Sequence, residues 1–193
     1  MDRANLRAAL ARTPGLAPRA PASSERASAF EARFGIALPP TYRRFVREVA
    51  DGLVYEGASW LFSLDEIARD LSDRALPARP FPYRSADGDA IRAAVTAARA
   101  AGSVFSREVM SLQRVGDPDG CLTLASNGGN DFSVLVVSGE QAGWMWRTGE
   151  LDFPETRALY DPASTDAAPL GFDEWLALWG ECFLGLSLEL SPP

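Results

Sequence analysis

The stretch FGIALPPTY, residues 34–42, joins two segments with helical patterning. Upstream of it, Ala27, Phe30 and Phe34 recur at helical spacing over residues 24–34. Gly35 follows at the position where a helix end favours a left-handed residue. Leu-Pro-Pro at 38–40 enforces an extended entry, and proline suits the first turn of the next helix. The stretch therefore predicts a hinge between two short helices.

The second of these helices is predicted over residues 41–50. Its apolar residues recur on one face, three arginines lie opposite, and Asp51-Gly52 ends it. The predicted buried face comprises Tyr42, Phe45, Val46 and Val49.

Outside the hinge, the first half of the chain shows three further helical signals. A short opening helix carries Leu6, Ala9 and Leu10 on one side, and the proline-bearing segment 13–21 reads as a break. Ser63 and Glu66 form a capping box that opens a helix through about residue 74. After a second break at 76–89, an alanine-rich helix is expected over 89–101, packing at the periphery because its bulky apolar residues are few.

The second half changes to the period of two that is typical of strands. Strands are predicted over residues 110–115, 122–125, 132–137 and 144–147, separated by turn sequences rich in Gly, Asn and Asp. Residues 172–184 then form a helix with an apolar stripe. The fold class is therefore α+β: a central antiparallel β-meander of four or more strands, flanked by N-terminal helices and one C-terminal helix. We expect one domain over 1–193, with 75–102 as an insertion.

Trp144 and Trp146 are expected to lie on the same face of one strand, with Met145 opposite. Two interpretations stay open for this pair. The tryptophans could pack against Trp175 and Trp179 in the core, or they could form a surface anchor for a partner, a role in which Trp is enriched.

Composition excludes several function classes. The 193 residues contain no His, which removes histidine general bases and every zinc set that includes His. The net charge of −7 disfavours a direct nucleic-acid binder. No apolar run is long enough to span a membrane, so we expect a cytoplasmic protein. We expect no cofactor, no metal and no enzymatic activity, because no constellation for acid-based hydrolysis or group transfer is visible.

Asp117-Pro118-Asp119-Gly120 begins like a calcium loop, but the twelfth position is Gly128, where a bidentate Glu is needed. A tight turn explains these residues better.

Charge is distributed unevenly along the chain. Residues 1–47 carry nine arginines and three acidic residues, whereas residues 148–193 carry one arginine and nine acidic residues. The acidic end is either a solvated surface or a steering surface for a basic partner. The candidate binding residues are the acids in the turns and beyond the tryptophan strand, together with one tryptophan: Asp117, Asp119, Asp131, Trp144, Glu150, Asp152 and Glu155.

The hinge resembles the opening signature of the SUKH superfamily: a helix, Gly, Leu-Pro, a polar residue, Tyr, Phe, and an Asn-Gly or Asp-Gly stop. Further matches follow in the expected order, and the resemblance runs from about residue 24 to 184. These matches are Trp60 with 62–67, Val115-Gly116-Asp117 with Gly120, Gly143 before 144–146, and Phe172-Asp173-Glu174-Trp175-Leu176.

This resemblance implies an α+β fold with a central antiparallel sheet, and a non-enzymatic protein that acts by binding. It implies a bacterial immunity protein that neutralises a cognate polymorphic toxin, such as a nuclease or a deaminase. The alternative that it implies is an intracellular regulatory or scaffold domain of the same fold. The segment 75–102 and the turns at 130–132 and 138–140 depart from the family pattern, so the identity of the toxin does not follow.

Overall fold

A seven-stranded antiparallel sheet, with its strands in the order of the chain, organises the molecule. The computed structural model describes residues 3–71, 75–103, 119–129, 131–149, 153–161, 163–164 and 168–184. The strands are β1 (Leu16–Pro18), β2 (Leu53–Tyr55), β3 (Ala58–Leu61), β4 (Cys121–Gly128), β5 (Asp131–Val136), β6 (Met145–Gly149) and β7 (Phe153–Pro154). The helices are α1 (Arg3–Arg12), α2 (Ser24–Phe34), α3 (Pro40–Glu48), α4 (Leu64–Asp70), α5 (Ser85–Ala100), α6 (Arg157–Tyr160) and α7 (Phe172–Leu184). The α+β meander predicted from the sequence is confirmed.

The hinge between α2 and α3 has the predicted geometry. Gly35 ends α2 in the left-handed conformation, with φ of 65°, and its N–H donates to the carbonyl of Glu31. Pro40 occupies the first turn of α3. The capping box of Ser63 and Glu66 also forms at the start of α4, which ends at Asp70, a few residues earlier than predicted.

One face of the sheet carries the main core, which α1 to α4 and α7 cover. The apolar faces of α2 and α3 are buried as predicted. The ring of Phe172 on α7 meets Tyr42 edge-on, with ring centroids 5.0 Å apart, and Trp175 stacks on Trp179 at 5.3 Å. The C-terminal helix therefore closes the main core against α3.

The opposite face of the sheet carries a second apolar cluster, covered by α5 and the loop before it. Ile91 is fully buried there, with Val95 and Ala98, so the expectation of a peripheral alanine-rich helix is wrong. The helix also begins four residues earlier than predicted, at Ser85, because the Asp87 side chain accepts a hydrogen bond from the N–H of Arg84. The small alanine side chains of α5 are sufficient there, because large side chains of the sheet fill the volume beneath the helix.

The tryptophan pair is divided between the two environments. Trp146 is fully buried, but its ring stacks on Tyr83 and meets Phe81 edge-on in the second cluster. Its neighbour Met145 lies in the main core with Trp175. The expected packing of Trp146 against Trp175 and Trp179 is therefore wrong, because both faces of the sheet are buried and Trp146 points to the other one.

Four strands of the sheet lie outside the four strands predicted from the sequence. The segment 13–21 contains β1, whose Pro18 is tolerated because β1 lies at the edge and pairs only with β2. Residues 53–61 form the β2–β3 hairpin, and β7 follows the tryptophan strand. The strand predicted over 110–115 lies outside the described residues.

Candidate functional site

The structure separates the candidate binding residues. Asp117, Glu150 and Asp152 lie outside the described residues. Of the others, Asp131 begins β5, whereas Trp144 is hydrogen-bonded to the last residue of β5, Val136. Five residues of strand separate these two ends, which corresponds to about 17 Å.

Trp144 ends the hairpin of residues 137–144, here called the Trp144 hairpin. Its carbonyl accepts a 3.0 Å hydrogen bond from the N–H of Val136, and its N–H donates to the carbonyl of Gln141. A backbone bridge to Gly171 holds it from the other side. The backbone is fixed, yet 39% of the residue is exposed, and among the described residues it is the large hydrophobic one on the surface.

Asp119 lies at the same end of the sheet as Trp144. The carbonyl of Gly120, the next residue, accepts hydrogen bonds from the N–H groups of Val137 and Ser138 at 2.7 and 3.1 Å. Asp119 itself pairs with Arg79 at 3.4 Å, and both side chains are well exposed. The structure therefore brings Asp119 to the base of the Trp144 hairpin.

Gly120 allows a loop to cross this end of the sheet. Its N–H donates to the carbonyl of Leu76, and the N–H of Phe81 donates to the carbonyl of Ser138. A Cβ atom at Gly120 would stand 2.5 Å from the backbone nitrogen of Phe81, and the residue has φ of 73°. Only glycine fits, so the loop and the hairpin are held together at this position.

The opposite end of β5 holds a buried ionic network. Arg147 of β6 places its Nε 3.3 Å from Oε1 of Glu155 and its Nη1 3.5 Å from Oδ2 of Asp131. The hydroxyl of Ser133 donates to Glu155 Oε1 at 2.7 Å, and the hydroxyl of Tyr160 donates to Oε2 at 2.8 Å. Both oxygens of the Glu155 carboxylate therefore have partners.

The burial of these groups shifts their proton equilibria. Burial alone would lower the pKa of the Arg147 guanidinium, but Glu155, Tyr160 and Asp131 beside it raise the pKa above its ordinary value. Burial, reinforced by the charge of Glu155, raises the pKa of the Tyr160 hydroxyl. Arg147 is therefore charged and Tyr160 neutral at physiological pH.

Glu155 was a candidate surface acid, and the structure places it in the interior. The residue has 0% exposure, and its carboxylate is surrounded by Ser133, Arg147 and Tyr160. Asp131 is partly exposed but faces Arg147. Glu155 is therefore a structural residue, and of the described candidates Asp119 and Trp144 lie at the same end of the sheet.

Sequence reasoning missed the network because its members are scattered along the chain. The available signal was Arg147, a charged residue on the same face of its strand as the apolar Met145. An arginine at such a position requires a carboxylate partner, although the sequence does not say which one.

Two general features complete the description of the molecule. Within the described ranges, no three potential metal ligands come together. None of the described helices is both long enough and apolar enough to cross a membrane.

Comparison with protein families connects this architecture to a known group. The family model described as SMI1 / KNR4 family (SUKH-1) matches residues 21–165, about three quarters of the chain. The match includes the α2–α3 hinge, the capped α4, the meander and the Trp144 hairpin. A search of curated proteins found no matching relative. The chain belongs to the SMI1/KNR4 family, SUKH-1.

Proposed function

We propose that this protein is a non-enzymatic immunity protein that binds a cognate toxin, of the nuclease or deaminase class, and neutralises it by occlusion. The observation that carries the proposal is the exposed Trp144 on a rigid hairpin in a SUKH-1 protein. Tryptophan is the residue most enriched among binding hot spots, and a fixed backbone lowers the entropy lost on binding.

The contact surface that we propose consists of the Trp144 hairpin and Asp119. Gly120 and the loop at 76–81 hold these elements in one arrangement before any partner arrives. An apolar anchor beside an exposed carboxylate has the composition of a hot spot with a polar rim. The candidates Asp117, Glu150 and Asp152 belong to the proposed surface on the strength of the sequence, whereas Glu155 is buried and Asp131 pairs with Arg147 at the other end of β5.

Charge supports a basic partner. The chain carries a net charge of −7, and residues 148–193 contribute nine acids against one arginine. Such an excess raises association rates with a positively charged protein, and salt screens the effect. Neutralisation by occlusion then requires binding only and no chemistry.

The experiment that tests this function uses the gene next to this one. If that gene encodes a polymorphic toxin, we express its C-terminal toxin domain in a bacterium with and without this protein and measure growth. We expect this protein to restore growth. Trp144→Ala should weaken binding about thirtyfold or more, measured by surface plasmon resonance. Arg69→Gln, on the exposed side of α4, serves as the matched surface control.

Salt dependence tests the electrostatic part separately. Association rates should fall steeply between about 50 and 300 mM salt, while dissociation rates change much less. At a given low salt concentration, the double variant Glu150→Gln with Asp152→Asn should associate more slowly than the unchanged protein. Toxicity that persists despite co-expression, or the absence of a neighbouring toxin gene, would instead favour a regulatory or scaffold domain.

A further inference from the structure

A groove of about 590 Å³ lies between α5 and the segment that carries β7 and α6. One wall is the stripe of α5 from Asp89 to Arg99, and the other is formed by residues between Phe153 and Ser164. Gly88 permits the close approach at the start of α5, because a Cβ there would stand only 3.2 Å from Cγ of Pro154. The groove lies on the face of the sheet opposite α4.

Two arginines line this groove. Arg92 pairs through Nη2 with Asp89, but its Nη1 is buried and has no hydrogen-bond acceptor among the described residues. Arg99 is exposed, and no ion pair to it is found within the described part of the chain. Burial keeps this nitrogen out of reach of a ligand, but the exposed part of the Arg92 guanidinium and the exposed Arg99 can donate charge-assisted hydrogen bonds to carboxylates.

The spacing of the arginines defines the ligand. Arg92 and Arg99 are seven residues apart on one helix, a rise of about 10.5 Å. A peptide in the polyproline II conformation has three residues per turn and rises about 3.1 Å per residue, so acidic residues at positions i and i+3 lie on one side, about 9 Å apart. A single small carboxylate would reach only one of the two arginines.

Apolar and hydroxyl groups lie between the two charges. Val95, Phe153 and Leu159 provide apolar surface, and Thr96 offers a hydroxyl. The groove therefore combines an apolar floor with a few placed polar groups, as peptide and ligand sites do.

We propose that this groove binds an extended acidic peptide segment of a partner protein, with two carboxylates three residues apart and an apolar residue between them. One carboxylate pairs with the exposed part of the Arg92 guanidinium, where it competes with Asp89, and the other pairs with Arg99. This site is distinct from the Trp144 surface and has the opposite charge preference. It does not depend on the proposed immunity function.

The test is a titration of the ¹⁵N-labelled full chain with the peptide Ac-Glu-Leu-Ala-Glu-NH₂, followed by NMR. We expect saturable shifts at the amides of Thr96 and Leu159, with a Kd below about 1 mM. The peptide Ac-Gln-Leu-Ala-Gln-NH₂ and sodium acetate should bind at least tenfold more weakly.

Variants of the chain assign the contacts. Arg99→Gln, at an exposed position, should weaken peptide binding at least tenfold, and Arg92→Gln should do the same if its amide spectrum remains folded. Asp89→Asn should strengthen binding severalfold, because it removes the competing carboxylate. Arg69→Gln and Trp144→Ala should leave binding unchanged.

Several results would overturn the proposal. The first is a titration that does not saturate at 5 mM peptide. The second is equal affinity for the glutamine peptide or for acetate. The third is an equal loss of peptide affinity in Arg69→Gln and Arg99→Gln. Trp144→Ala should leave peptide binding unchanged but weaken toxin binding. Failure of one proposed surface is therefore distinguishable from failure of the other.

Discussion

The two ends of β5 use acidic residues in opposite ways. At its first end, Glu155 has no exposed surface and neutralises Arg147 inside the protein. At its last end, Asp119 pairs with Arg79 at the surface, on the same end of the sheet as the exposed Trp144. The network joins β5, β6 and α6. The Trp144 hairpin instead presents side chains to solvent, and its backbone packs closely against the loop at 76–81 because residue 120 is glycine. Net charge along a sequence therefore does not report which carboxylates a partner can reach.

The largest contrast between the two ends should appear on removing one charge from each. Glu155→Gln should lower the free energy of unfolding by about 2–3 kcal/mol, because it removes the closest partner of Arg147 and leaves only the partly exposed Asp131 beside it. Asp119→Asn should cost less than about 1 kcal/mol, since its pair is exposed. Urea unfolding measures both.

A double variant separates the ion pair from packing. Glu155→Gln with Arg147→Met should recover much of the loss, because it removes the uncompensated charge. A double variant as unstable as Glu155→Gln alone would show that the loss arises from Ser133 or Tyr160 instead.

The second prediction concerns the loop that supports the Trp144 hairpin. Gly120→Ala should destabilise the protein by about 2–4 kcal/mol, because the new methyl group would meet backbone atoms of Phe81 and Arg79 in addition to requiring a positive φ. Gly57→Ala is the matched control, with a positive φ but no atom within 4 Å of the new Cβ. It should cost about 1 kcal/mol. Equal losses would mean that backbone conformation alone matters at Gly120.

Local signals in the sequence predicted most of the helices and strands, but not the second apolar cluster on the opposite face of the sheet. The α2–α3 hinge was predictable because Gly35 and Pro40 act within one turn of their own position. The start of α5 was not, since Gly88 looked like part of a break, whereas it provides close contact with Pro154. The burial of Ile91 and Trp146 depends on residues from distant segments, which periodicity in one segment does not encode.

The candidate site was predictable in part for the same reason. Trp144 was recognisable as either core or surface, and the choice depended on the bridge to Gly171 and on what covers the neighbouring face. The environment of Glu155 depends on Arg147 and Tyr160, so charge alone placed it wrongly at the surface.

The third prediction uses alkaline pH to probe the buried end. Burial raises the pKa of Tyr160 above 10.0, with Glu155 adding to the effect, and burial followed by Asp51 does the same for Tyr42. Above pH 10 the unfolded chain releases these protons and the folded chain retains them, so stability falls as the pH rises. The slope should be as much as about 1.4 kcal/mol per pH unit for each tyrosine.

Substitution assigns this slope to individual residues. Tyr160→Phe should remove one tyrosine's share of the decline between pH 10 and 11.5, although it also loses a hydrogen bond at neutral pH. Tyr42→Phe should remove another share. The measurement is the free energy of unfolding in urea at each pH. An unchanged slope in both variants would contradict the assignment.

The last prediction compares the partly exposed Trp144 with the buried Trp146. Most of the stability contributed by a tryptophan comes from surface removed from water, and Trp144 retains 39% exposure on a hairpin held by backbone hydrogen bonds. We expect a loss of about 2 kcal/mol, because roughly three fifths of the residue is still removed from water, with an unchanged denaturant slope. Trp146→Ala, two residues away, is the matched comparison: its buried ring stacks on Tyr83 at 5.0 Å, and its loss should cost about 3–5 kcal/mol. Similar midpoints for the two variants in urea would mean that Trp144 packs as core and that its exposed ring is no anchor. A large difference would establish Trp144→Ala as a folded variant, in which any lost affinity for the toxin reports the contact itself.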